Sequence, residues 1–245
     1  MALTKVGSGV IQDDAVGIAN LGATGTASAT TFLRGDNAWA APTSGGFISY
    51  TVYTAAGTWT KATNGSTKVV VQLVGGGGGG GGSYNGTSWC GGNGGAAGYV
   101  QKYIDVSSIS TSTIAVGAAG AGGAHISTGG TGGNSSWTDG TNTLTGTGGS
   151  GGVGATSSAH GAGGDGGGAT GGDINVAGPN GSTNVAGPKN NAGSMLGFFN
   201  PVKTVGQSSG LAGTGYGAPG GGGTGGGVQT GGAGTAGVVI VWEYK

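Results

Sequence analysis

The sequence predicts a mostly β and irregular fold, in which a bundle of extended polyglycine II helices is clamped by β-strands from both ends of residues 47–245. A short N-terminal segment precedes it. Three observations predict this. Glycine supplies 68 of 245 residues, gathered in runs and in triplets of two glycines and one variable residue. The apolar residues stand in short runs that bracket those tracts. Charges are few, eight basic and eight acidic, while five Trp, seven Tyr and four Phe are present. A disordered chain has the reverse composition.

Residues 1–46 read as an attachment segment and linker. Residues 10–16 are expected to start a short strand or turn, 31–40 (TFLRGDNAWA) follow, and Pro42 opens a linker. The segment is too short to build its own core. From residue 47 the pattern becomes β. Residues 47–54 (FISYTVYT) alternate, 67–74 (TKVVVQLV) form a second strand after an Asn64-Gly65 turn, and 99–106 and 113–116 continue the pattern. The last strand, 237–244 (GVVIVWEY), lies at the far end of the chain, so the framework draws strands from both ends.

Between those brackets lie eight consecutive glycines at 75–82 and the triplets at 91–96, 129–134 and 148–153, with less regular runs at 161–172 and 213–236. A left-handed extended helix has three residues per turn and no internal hydrogen bonds, so its backbone groups must find partners in neighbouring chains. With glycine everywhere, neighbours approach on all sides. With a side chain at every third position, one face is closed and two stay bare. The triplets are therefore expected in outer helices, and 75–82 in an interior helix about 25 Å long. Ordering each glycine costs roughly 0.5–1 kcal/mol more than alanine, against a net gain of about 0.5–1.5 kcal/mol per backbone hydrogen bond. Such a bundle is marginal alone, and the apolar strands are expected to clamp it. Collagen is excluded because the period is not sustained and there are only five prolines. A flexible linker is excluded by the aromatic residues that interrupt the runs.

Zero net charge gives no reason to expect nucleic acid or an anionic membrane as partner. The single Cys90 excludes a disulfide framework and a cysteine zinc cluster. The start of the chain lacks a signal-peptide apolar region, and no apolar stretch reaches 18 residues. Synthesis in a cytoplasm without a signal peptide is expected.

The variable chemistry lies between the glycine tracts, at 83–90 (SYNGTSWC), 135–143 (SSWTDGTNT) and 173–209. The last of these repeats Asn175-Val176-Ala177-Gly178-Pro179 as Asn184-Val185-Ala186-Gly187-Pro188.

Residues 31–42 (TFLRGDNAWAAP) resemble the linker near the fibre-attachment end of phage tail proteins. The segments YTAAGTWTKA (53–62), VVVQLVGGGGGGGG (69–82), GGNGGAAGYVQKYIDVS (91–107), GGDINVAG (171–178) and GGAGTAGVVIVWEY (231–244) are similar to glycine-rich C-terminal domains of phage tail fibres. Among these, they resemble the distal long-tail-fibre adhesins of T-even-like phages. The resemblance implies a polyglycine II sandwich with receptor-binding loops at one end, on the exposed distal tail of a virion. It implies other tail proteins as partners of the N-terminal segment, and a bacterial surface protein or polysaccharide as receptor. The N-terminus does not match the attachment domain of those adhesins. A homotrimer is expected, with a capping monomer as the alternative.

The loop aromatics Tyr84, Trp89, Trp137, Phe198, Phe199 and Tyr216 are the expected receptor contacts, because aromatic side chains bury large areas at small entropic cost. Their other role would be to support loops or a subunit interface. Arg34-Gly35-Asp36 reads as a turn before a strand rather than an adhesion tripeptide. His125 and His160 could meet Asp139, Asp165 or Asp173 at a metal, but lack ligand spacing, so no metal or cofactor is expected. The glycine runs lack the Gly-Lys-Ser/Thr of a phosphate loop. Glycoside cleavage needs paired carboxylates, and Glu243 is the only glutamate. No enzyme is expected. The alternatives are a structural fibre or tip component without receptor contact and, more remotely, an ice-binding bundle.

Overall fold

The computed structural model describes residues 22–41, 45–63, 65–85, 89–183, 209–225 and 227–245. The chain divides into two compact units, Met1–Gly45 and Gly46–Lys245. In the first, strands β1 (Phe32–Leu33) and β2 (Trp39–Ala40) form a small antiparallel hairpin. Arg34-Gly35-Asp36 is its turn: the Arg34 N–H donates to Ala38 O at 2.9 Å, the Arg34 and Asp36 side chains pair at 3.2 Å, and Asn37 takes a φ of 61°. The expected start at 10–16 lies outside the described residues.

The second unit contains strands β3 (Phe47–Tyr53), β4 (Gly57–Thr60), β5 (Lys68–Val74), β6 (Tyr99–Asp105), β7 (Thr111–Ala115), β8 (Ser135–Thr138), β9 (Thr143–Gly146), β10 (Ala169–Thr170), β11 (Ile174–Val176) and β12 (Val238–Tyr244). They make two five-stranded antiparallel sheets, ordered β10-β9-β8-β7-β4 and β11-β6-β5-β12-β3. The C-terminal β12 sits between β5 and β3, so both ends of the unit close one sheet. Period-two alternation directs Val69, Val71, Leu73, Val100, Ile104, Val239 and Val241 of this sheet inward. They meet Trp59, Ile114, Trp137 and Leu144 of the other. This sandwich is the hydrophobic core.

The glycine tracts continue out of it. Residues 75–82 follow β5, 91–98 lead into β6, 117–124 follow β7, 127–134 lead into β8, and 147–155 follow β9. Runs 161–168, 177–182 and 229–237 attach likewise to β10, β11 and β12, while 209–214 and 217–225 are joined to each other by a turn.

The hydrogen bonds of 75–82 recur every third residue. Gly75, Gly78 and Gly81 donate to Gly98, Gly95 and Gly92; Gly76, Gly79 and Gly82 donate to Gly133, Gly130 and Ser127; Gly77 and Gly80 donate to Thr235 and Gly232. The carbonyls answer with the same period. Gly76, Gly79 and Gly82 accept from Gly149, Gly152 and Ala155, Gly77 and Gly80 from Gly120 and Gly123, and Gly78 and Gly81 from Gly220 and Gly223. Descending partners mark three antiparallel neighbours and ascending partners three parallel ones. Six chains therefore surround one threefold helix, which is the packing of polyglycine II.

Close approach explains the composition. A Cβ on Gly76, Gly79 or Gly82 would meet the carbonyl oxygens of Ala118, Ala121 and Ala124 well inside van der Waals distance. Outer runs carry side chains every third residue, as in Gly161, Gly164 and Gly167 buried against Ala162 and Asp165 exposed.

The run at 91–98 corrects one expectation. Its triplet suggested an outer helix, yet Asn93 and Ala96 are fully buried. Asn93 fits because its amide replaces backbone. Its Oδ1 accepts from Gly222 N at 2.8 Å and its Nδ2 donates to Ser182 Oγ at 3.0 Å. Residues 217–225 are likewise interior.

Candidate functional site

Because most of the tracts leave a sheet at one end, the other end of the bundle is a free pole. Four connections are described there wholly or in part: 83–90, the turn at 125–126, 156–160 and 225–228. Hydrogen bonds tie them together at one level, with Ser83 N–H donating to Gln229 O at 2.9 Å and Ile126 N–H to Ser83 O at 3.2 Å. Ser83 Oγ donates to Gly227 O at 2.7 Å, and Ser209 Oγ to Gln229 Oε1 at 3.1 Å. Residues 183 and 209, which flank the long connection, thus belong to the same pole. Phe198, Phe199 and the second copy of the internal duplication lie outside the described residues, as do 86–88.

The 83–90 connection is held at both ends by the only two histidines of the chain. Asn85 N–H donates to His125 Nε2 at 3.3 Å, and Cys90 N–H donates to His160 Nδ1 at 3.1 Å. The rings beside these bonds are Tyr84, with its centroid 6.1 Å from that of His125, and Trp89, edge-on to His160 at 4.7 Å. Each aromatic is partly buried, with its histidine as one of the groups it packs against. Ile126 and Val228, both about half exposed, add apolar surface beside them. Sequence reasoning missed this role of the histidines. Each sits in a short connection between glycine tracts, which was the available signal, but the pairing to 83–90 is a contact between distant parts of the chain.

Two expected contact residues sit elsewhere. Trp137 is fully buried in β8, 5.2 Å from Trp59, with its indole N–H donating to Asp139 Oδ2 at 2.9 Å. The segment 135–143 is a sandwich hairpin, not a display loop, because Ser135 and Trp137 alternate inward and Asp139-Gly140 turns the chain. Burial opposes ionisation of Asp139, but donors from Asn142, Trp137 and Thr141 outweigh it and hold its carboxyl below the usual range. Tyr216 is exposed, but in the turn at the sheet end of the bundle. Its neighbour Gly217 bonds to Ala97 and Ala236 there, at the opposite pole from Tyr84.

Among the described residues no three His, Cys, Asp or Glu side chains cluster as a metal site, and no helix is long and apolar enough to cross a membrane. The connections 83–90, 125–126, 156–160 and 225–228 contain no Asp, Glu, Lys or Arg. Their chemistry is that of aromatic faces, amides and hydroxyls.

Fold and composition together define a glycine-rich domain, in which closely packed, mostly glycine main chains form the body beyond the sandwich. The chain belongs to the glycine-rich domain family, whose model matches residues 51–244. No curated protein matches it at a significant level.

Proposed function

We propose that this protein is a non-enzymatic adhesin of a bacteriophage tail fibre or tail tip, which binds a bacterial surface receptor through the connections at the free pole of its bundle. The observation that carries the reading is polarity. Gly46, where the chain enters the domain, is bonded by Lys245 N–H at 3.0 Å at the far end of β12. The aromatic-bearing connections lie beyond the other end of the glycine bundle. One pole joins the domain to the chain before it, and the other is left for recognition.

A body whose interior is almost wholly main chain supports this reading in a second way. The connections can vary in length and chemistry while the main-chain lattice beneath them stays the same. The four connections described at the pole carry no charged side chain, which suits stacking and hydrogen bonding to a surface polysaccharide or to a neutral protein loop. On this reading the N-terminal unit engages other tail proteins, and the assembled protein is a homotrimer on the distal tail.

The test is competition. Purified protein should bind permissive cells and block phage adsorption, and Trp89→Ala or Tyr84→Ala should weaken binding about tenfold or more, while Tyr216→Ala should not. Absence of binding to every permissive strain would favour a purely structural fibre component.

A further inference from the structure

A two-sided sheet at the base of the domain points to a second surface. In the sheet β11-β6-β5-β12-β3 the inward positions fill the sandwich. The outward positions would be polar in a sheet with one wet face. Here they are not. Register places Tyr50, Trp242, Val70 and Tyr103 in one outward row, and Val52, Ile240, Gln72, Gln101 and Ile174 in the next. Tyr50 stacks on Trp242 at 5.1 Å, and Phe47 packs against Trp242 and Tyr244 at 6.1 and 6.0 Å. Phe47, Tyr50, Val52, Tyr103 and Ile174 are each 43–57% exposed. With rings of about 150–250 Å² each, about half exposed, the face offers on the order of 500 Å² of apolar surface, so that two copies would bury about 1,000 Å², the lower bound for a specific interface.

We propose that this face packs against that of a neighbouring copy of the chain, as the contact that closes the homotrimer proposed above. Its polar chemistry selects that partner. Gln72 donates to Gln101 Oε1 at 3.0 Å and to Tyr99 OH at 3.2 Å, Tyr99 donates to Gln101 Oε1 at 2.7 Å, and Trp242 Nε1 donates to Gln72 Oε1 at 3.0 Å. The amides and the indole are thus satisfied within the face. The only charged residues on its outward rows are Lys68 and Asp105, of opposite sign and directly paired in register. A face with one charge of each sign is complementary to itself: the lysine of one copy meets the aspartate of the other. The inference does not depend on receptor binding at the other pole.

The experiment is the mass of the full chain in solution, by light scattering and sedimentation over a range of concentrations. The intact protein is expected as a closed oligomer. Tyr50→Lys and Tyr103→Lys, on strands separated by β12 and β5, are each expected to yield monomer with the thermal transition retained. Val52→Thr and Ile174→Thr keep a β-branched, strand-favouring side chain at an exposed position and so keep the fold, while the added hydroxyl should weaken association about tenfold each. A monomeric parent protein, or an oligomer indifferent to the threonine variants, would overturn the proposal while leaving the adsorption result standing.

Discussion

The indole N–H of Trp59, on β4, donates to Oε1 of Glu243, on β12, at 2.9 Å and thereby joins the two sheets of the sandwich. The carboxylate is buried and also accepts from Ser49 Oγ at 2.8 Å and, more weakly, from Ser66 Oγ at 3.4 Å. A buried acceptor with three donors costs little; one stripped of its strongest donor does not. Trp59→Phe is therefore expected to lower stability by about 2–3 kcal/mol by denaturant titration. Glu243→Gln keeps an acceptor oxygen and should cost less. A neutral Trp59→Phe would mean that this bond does not hold the sheets together.

Glycines in the bundle should divide by position, not by count. At Gly79 a methyl group would strike the Ala121 carbonyl, and neither main chain can yield without losing hydrogen bonds to its other neighbours. Gly79→Ala is expected to cost about 3 kcal/mol or more, at or beyond the upper range for overpacked cores. At Gly168 the nearest atom to a new Cβ is Thr147 Oγ1 at 3.7 Å, an ordinary contact. Gly168→Ala should stay within about 0.5 kcal/mol of the parent protein. Equal melting temperatures for the two variants would contradict the lattice.

Acid should act through the β8–β9 hairpin. Asp139 is held below the ordinary carboxylate range in the folded state despite the opposing effect of burial, because Asn142, Trp137 and Thr141 donate to it. A depressed folded value means the unfolded chain binds the proton more readily. The stabilisation is present above the unfolded value, about 3.9, and is lost as pH falls through the folded one. Asp139→Asn should melt lower than the parent protein at pH 7, and the difference should shrink as pH falls toward 3. A gap independent of pH would assign Asp139 a role other than ionised acceptor.

Much of the scaffold was legible in the sequence. The apolar runs at 47–54, 67–74 and 237–244 carry a period of two and became β3, β5 and β12, and eight bare glycines could only pack as an interior run. The misplacements have physical causes. Residues 135–143 look polar enough for a loop, but Trp137 and the Asp139-Gly140 turn mark a hairpin whose inward positions are small or aromatic. The Asn93 triplet looked like an outer helix because nothing local shows that its amide would bond to Gly222 and Ser182, about 130 and 90 residues away. That Tyr84 and Trp89 stand in a connection between glycine tracts was legible; that Tyr216 lies at the other pole from them was not. Which pole a turn occupies depends on how many tracts precede it and in which direction each one runs.

Amide hydrogen exchange across 75–82 tests the lattice most directly. If six neighbouring chains hold this segment, its eight N–H groups will exchange only with global unfolding, as slowly as those of Val71 and Val241 in the sandwich. Exchange at the rate of an open chain, with the sandwich amides still protected, would contradict it.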